Sequence, residues 1–165
     1  MSPTDVPDVT CRSVMDASPA VLQADTSFRD SIAALLQHRL LAMPVVDAAG
    51  HYLGVFRKNR VIAGVLPQVA VYDDHFHQIT RMVDAGLLRD DLRQVQERFA
   101  TLADLPVAQF ACLDTPVLRP DQPLVTALHY LYRGRNFLPV VDPTDHRLCG
   151  IISTWDVLES VLGRA

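Results

Sequence analysis

Apolar residues follow two rhythms along this chain, and each rhythm appears twice. Short apolar runs at residues 139–141 and 149–152 bracket the turn-forming Asp142, Pro143, Thr144 and Asp145, a pattern that predicts a strand, a tight turn and a second strand. The second run passes through Gly150 into Ser153, Thr154, Trp155 and Asp156, and a helical apolar pattern follows. A hydroxyl and a carboxylate therefore fall at a strand-to-helix junction, where free backbone N–H groups suit anions and the carboxylate can accept from sugar hydroxyls. Upstream, Phe28, Ile32, Leu35 and Leu36 recur at helical spacing behind Asp25, Thr26 and Ser27, which can cap a helix. Leu124, Leu128 and Leu131 form a similar stripe, opened by Asp121 and Pro123.

These segments are two copies of one unit. Val21 and Leu22 align with Val117 and Leu118 at an offset of 96 (117 − 21), and Asp25 aligns with Asp121 at the same offset. Pro44, Val45, Val46 and Asp47 align with Pro139, Val140, Val141 and Asp142 at 95 (139 − 44), and Gly54-Val55 aligns with Gly150-Ile151 at 96 again (150 − 54). Both changes of offset fall where loops tolerate insertion and deletion. Each copy predicts β-α-β-β-α, the first over residues 11–66 and the second over 108–165. A single copy buries too little to be stable alone, so the two are expected to pack sheet against sheet, with clefts between them.

Residues 67–107, between the copies, have the pattern of a helical insertion. Phe76, Ile79, Met82, Val83 and Leu87 lie on one helical stripe, and Leu92, Val95, Phe99 and Leu102 lie on a second. Their apolar faces need cover, either from the repeat module or from another copy of the chain, and a partner subunit is the expectation.

Composition narrows the function. Apolar residues make up 49% of the 165, ample for a globular core, and the net charge is -4 with the basic residues scattered. Nothing there supplies the basic footprint of a nucleic-acid binder. The N-terminus lacks a basic and apolar leader, and no apolar run approaches the roughly 18 residues that span a bilayer. A cytoplasmic protein without membrane or nucleic-acid partners is expected.

Candidate chemistry is sparse. Cys11, Cys112 and Cys149 are odd in number and form no CxxC pair, so they read as small buried hydrophobes. Asp114 beside Cys112 would raise the pKa of that thiol, the wrong direction for a nucleophile. The run Asp73-Asp74-His75-Phe76-His77 contains metal-ligand types, but His75 and His77 sit two apart, on different faces of a helix, so helix capping is the better account. The sequence holds no Ser-His-Asp, HExxH, GxxxxGK or GxGxxG arrangement. A non-enzymatic protein with no metal site is expected.

With PVVD in both copies and Gly150-Ile151-Ile152-Ser153-Thr154-Trp155-Asp156 in the second, the chain resembles a CBS domain pair, the Bateman module. That resemblance implies an α/β (α+β) fold of tandem β-α-β-β-α repeats packed as a CBS pair, with a helical insertion between repeats. It also implies a regulatory sensor that commonly dimerises and binds an adenine nucleotide (AMP, ADP or ATP) or S-adenosylmethionine in its clefts. The second copy keeps the family's G-h-h-[ST]-x-x-D signature. Asp156 is then expected to accept from the ribose hydroxyls, and Ser153 with the Thr154 helix start to hold phosphate. Adenine is expected against Thr115, Val117 and Val140, with phosphate-binding side chains among Arg133, Arg135 and Asn136.

The first copy departs from the signature. Arg57 and Arg60 occupy the positions of Ser153 and Asp156 (153 − 96, 156 − 96), and a guanidinium cannot accept from a ribose. Its cleft is thus vacant, or supplies positive charge to phosphates of a ligand in the second copy, or faces an acidic partner. One nucleotide per homodimer subunit at most is expected. Ser153 and Asp156 could also be plain helix caps, Trp155 plain packing, and the chain a ligand-free interaction module acting through the insertion and the basic Arg57, Lys58 and Arg60.

Overall fold

The computed structural model describes residues 9–66 and 91–163. The run Asp73-Asp74-His75-Phe76-His77 and the stripe from Phe76 to Leu87 lie outside them. The first copy contributes β1 (Leu22–Gln23), α1 (Phe28–His38), β2 (Ala42–Val46), β3 (Tyr52–Arg57) and α2 (Lys58–Val65). Then come α3 (Leu92–Leu102), a 3-10 turn (Val107–Phe110), α4 (Leu124–Tyr132), β4 (Phe137–Val141), β5 (Leu148–Ser153) and α5 (Thr154–Val161). The architecture is the expected α+β tandem repeat.

In the first copy β1 runs parallel to β2, and β2 is antiparallel to β3, with Pro44 opposite Val55. In the second, β4 is antiparallel to β5 with Pro139 opposite Ile151, and Leu118 bridges Val140 in the place of β1. The aspartate closing each PVVD folds back on its own turn. Asp47 Oδ1 accepts from the Ala49 and His51 amides, each at 2.9 Å, and Asp142 Oδ1 accepts from the Thr144 amide at 2.7 Å. Such side-chain turns explain the residue type without any ligand.

Ser27 caps α1, accepting from the Asp30 amide at 3.0 Å. Asp121 does not cap α4: it pairs with Arg119 at 3.3 Å, and Pro123, with no side-chain acceptor, takes the N-cap position. Leu36, on the apolar stripe of α1, is 74% exposed. Each copy has its own core. One gathers Leu22, Phe28, Leu35, Met43, Val45 and Phe56, and the other gathers Leu118, Ala127, Leu138, Val140 and Ile152.

The leading segments of the two copies are exchanged. Val107, with Phe110 and Ala111, belongs to the first core, and Cys11, with Met15, belongs to the second. Asp16 and Ile151 exchange backbone hydrogen bonds of 2.9 and 3.0 Å, and Cys112 and Val55 do so at 2.8 and 3.0 Å. Each pair follows from the other by the offset of 96 (112 − 16, 151 − 55), so a pseudo-twofold axis relates the halves. Gly54 and Gly150 permit this. A Cβ on Gly54 would meet the Cys112 carbonyl oxygen at 2.9 Å, and one on Gly150 would overlap that of Asp16.

The second stripe of the insertion joins the first core. A capping box of Asp91 and Gln94 starts α3, Phe99 and Leu102 pack beside Phe28, and the Arg98 guanidinium donates to the Val65 carbonyl at 2.7 Å. Of the expected stripe, Leu92 remains exposed. The boundary expected between residues 107 and 108 falls inside the 3-10 turn Val107–Phe110.

Candidate functional site

The junction from β5 to α5 is built by its own capping box. Ser153 is extended at φ -112 and ψ 169, ending the strand, and its hydroxyl lies 3.4 Å from the Asp156 amide. Asp156 Oδ2 accepts from the Ser153 amide and hydroxyl, both at 2.6 Å. That holds the carboxylate over the first turn of α5 and leaves Oδ1 without a partner among the described residues. The plain-cap reading is therefore true of this pair, and one carboxylate oxygen remains available.

Above this junction lies a cavity of about 560 Å³, within the range that holds a small molecule. Ser153, Thr154, Trp155, Asp156 and Leu158 form one side. The first copy contributes Asp16, Pro19 and Ala20 of the exchanged segment, Pro44 of β2, and residues 39–42. Asn136 and Phe137 close the remaining edge. The result is a cleft whose lining combines proline, alanine and phenylalanine side chains with a hydroxyl and a carboxylate. Trp155 is 74% exposed at its rim.

The expected site residues divide among several places. Ser153, Thr154, Asp156 and Asn136 line this cavity. Thr115 and Arg135, with Asn136 again, line a smaller one of about 140 Å³. Val117 is half exposed and borders neither cavity, Val140 is fully buried in the second core, and Arg133 caps the C-terminal end of α4 in solvent. Of the adenine wall expected from Thr115, Val117 and Val140, Thr115 lines the smaller cavity and the two valines line neither. The exchange brings residues 16–20 of the first copy to the Asp156 junction and sends residues 112–115 to the Arg57 junction. The residues that sequence reasoning missed are Asp16, Pro19, Ala20 and Pro44.

At the first-copy junction the arginines hold their own chain. Arg57 pairs with Asp114 at 3.3 Å and donates to the Thr115 hydroxyl, and the Arg60 Nε lies 2.9 Å from the Cys112 sulfur. The sulfur contact raises the Arg60 pKa further. Beside them the Tyr52 hydroxyl is buried with no partner among the described residues, and burial pushes its pKa up to about 12. A raised acid is stable in its neutral form. Tyr52 therefore contributes stability that is intact below pH 10 and is lost as pH rises toward 12. Tyr52→Phe is expected to unfold at the same or higher temperature at pH 7, and to lose less than the parent between pH 9 and 11 in thermal melts. Equal alkaline losses would remove this role.

The family is settled by comparison with known proteins. The CBS domain profile matches residues 11–66 and 104–163, and the chain belongs to the CBS domain family. No curated protein gives a match. The fold resembles CBSX2 from Arabidopsis thaliana in complex with AMP, at TM-score 0.63 and 21% identity, covering 93% of this chain and 96% of that one. It also resembles the CBS domain pair of MJ0100 in complex with 5′-methylthioadenosine and S-adenosyl-L-methionine, at TM-score 0.57 and 14% identity over 96% and 100% of the two chains. A third similar structure is a putative acetoin utilization protein from Vibrio cholerae, at 0.66 and 18% over 94% and 92%. No helix among the described residues is long and apolar enough to cross a membrane.

Proposed function

We propose that this chain is a non-catalytic regulatory CBS pair that binds one adenine nucleotide, AMP, ADP or ATP, or S-adenosylmethionine, in the cleft at Asp156. The supporting observation is that Ser153 and Asp156 line a cavity of about 560 Å³ together with the apolar Pro19, Ala20, Pro44 and Phe137. In this reading Asp156 Oδ1 accepts from the ribose hydroxyls, and the base lies against Pro19, Ala20 and Pro44. CBSX2 was crystallised with AMP and MJ0100 with two adenosine derivatives, which favours the same ligand class here. Arg57 and Arg60 contact their own chain. That speaks against a basic docking face in the first copy and for a single nucleotide per chain.

The output follows from α5. Its first turn carries the ribose acceptor, while Val161 and Leu162 at its far end are exposed, as are Val125 and Tyr132 on the charge-free α4. We take this apolar surface as the contact with a second copy, because a helix without like charges can face itself. A ligand that binds the two dimer arrangements unequally then shifts their balance by that difference. Thermal melts with AMP, ADP, ATP and S-adenosylmethionine are expected to show stabilisation by at least one. At 100 times Kd this is about 2.7 kcal/mol, roughly a 5–10 °C rise. Native mass spectrometry should find two chains and one nucleotide per chain. No shift with any of the four overturns the nucleotide reading.

A further inference from the structure

The smaller cavity adjoins the larger one, since Leu41, Ala42, Asn136 and Phe137 line both. Their charges differ sharply. The larger cavity is lined by the acids Asp16 and Asp156 against the single cation Arg39. The smaller has Arg57, Lys58 and Arg135 in its lining and no acid, in a chain whose net charge is -4. Asp114 pairs with Arg57. Neither Lys58 nor Arg135 has an acidic partner among the described residues. The helix behind them differs as well. Arg57, the N-cap of α2, offers no side-chain acceptor to the first-turn amides, whereas α5 is closed by Ser153 and Asp156. Three cations and the buried Thr115 thus line a space too small for a nucleoside but adequate for phosphate groups, while the Lys58 amide at the start of α2 donates to the Leu41 carbonyl at 2.9 Å.

We infer that the smaller cavity is the polyphosphate subsite of the same ligand, so that the chain selects a nucleoside di- or triphosphate over the monophosphate. This rests on the nucleotide reading of the Asp156 cleft. The substitution of Arg57 for Ser153 then acquires a role: it turns the first copy from a second ribose site into the anchor for the tail of the ligand in the second. Arg57 is positioned by Asp114 and Thr115, and Lys58 and Arg135 meet the terminal phosphates.

The test is calorimetric titration of the full chain with AMP, ATP and inorganic tripolyphosphate. Two charge-assisted contacts predict ATP tighter than AMP by about tenfold or more, with the preference falling as salt rises. In Lys58→Ala/Arg135→Ala the ratio of the two affinities is expected to approach one. The single exposed charge reversal Lys58→Glu should move the ratio the same way if the double variant folds poorly. Wild-type protein that binds AMP at least as tightly as ATP overturns this inference alone. So does a double variant that keeps the ATP preference, or tripolyphosphate that binds without weakening ATP, which would make the cavity an independent anion site. Binding of S-adenosylmethionine but of neither AMP nor ATP also overturns this inference alone, and failure of AMP, ADP, ATP and S-adenosylmethionine alike overturns the nucleotide reading itself.

Discussion

Asp156→Ala is expected to abolish the rise in melting temperature that nucleotide produces in the parent protein. The carboxylate has two tasks in the structure, and they fall on different atoms. Oδ2 closes the capping box with Ser153, and Oδ1, without a partner among the described residues, is the proposed ribose acceptor. Loss of the cap costs about 1 kcal/mol of stability with or without ligand. Loss of hydrogen bonds from two ribose hydroxyls to a charged acceptor costs about 1.5–3 kcal/mol each, which is at least 100-fold in affinity. The variant should therefore melt slightly lower than the parent and respond to no nucleotide. Asp156→Asn separates the tasks, since its amide oxygen can still accept while the charge is gone. It should cap nearly as well as aspartate and bind with intermediate affinity. An Asp156→Ala protein that keeps the full nucleotide response would move the ribose away from this residue.

The repeat was legible because its evidence is local. PVVD needs a buried strand entering a tight turn, and both the strand pattern and the turn-making aspartate are written in adjacent residues. The Ser153–Asp156 pair was legible for the same reason, three positions being the spacing of a capping box. The wall opposite was not. Sequence alignment shows that residues 16–20 and 112–116 correspond, yet it cannot say which of two equivalent segments faces which junction, because that depends on how the halves pack. The exchange decides it, leaving Thr115 beside Arg57 and bringing Pro19 and Ala20 to Asp156. The stripe of Val95, Phe99 and Leu102 was legible as amphipathic, but amphipathicity does not name what covers a helix. Here Phe28 and the end of α2 supply that cover for Phe99 and Leu102.

The asymmetry of the two junctions has a physical consequence for sensing. Arg57 and Arg60 fasten residues 112–115 to the start of α2 through side chains, whereas at the other junction the matching segment, Asp16, is fastened by backbone alone and the side chains close on themselves. The first junction is thus narrowed by the chain's own side chains to the smaller cavity, and the second is left open. A ligand in the open cleft would supply the side-chain links between halves that the arginines supply on the other side.

Gly150→Ala is expected to loosen the backbone link at the open junction. A Cβ at this position overlaps the Asp16 carbonyl oxygen and comes within 3.1 Å of its carbon, and backbone cannot swing aside as a flexible side chain would. Relief requires residues 15–17 to retreat, which breaks the two hydrogen bonds between Asp16 and Ile151. Overpacking of about 1–3 kcal/mol with two lost hydrogen bonds of about 1 kcal/mol each gives roughly 3–5 kcal/mol. For a chain of this size that lowers the melting temperature by about 6–20 °C. Gly54→Ala is the matched comparison. It meets Cys112 at 2.9 Å and also places alanine at φ 141, so its loss of stability should be comparable. The two should differ in binding. Only Gly150→Ala moves the segment bearing Asp16, Pro19 and Ala20, which walls the nucleotide cleft. Measured well below both melting temperatures, nucleotide affinity should fall in Gly150→Ala and persist in Gly54→Ala. Equal affinities in the two variants would mean that residues 16–20 do not touch the ligand, and the base would have to lie elsewhere in the cleft.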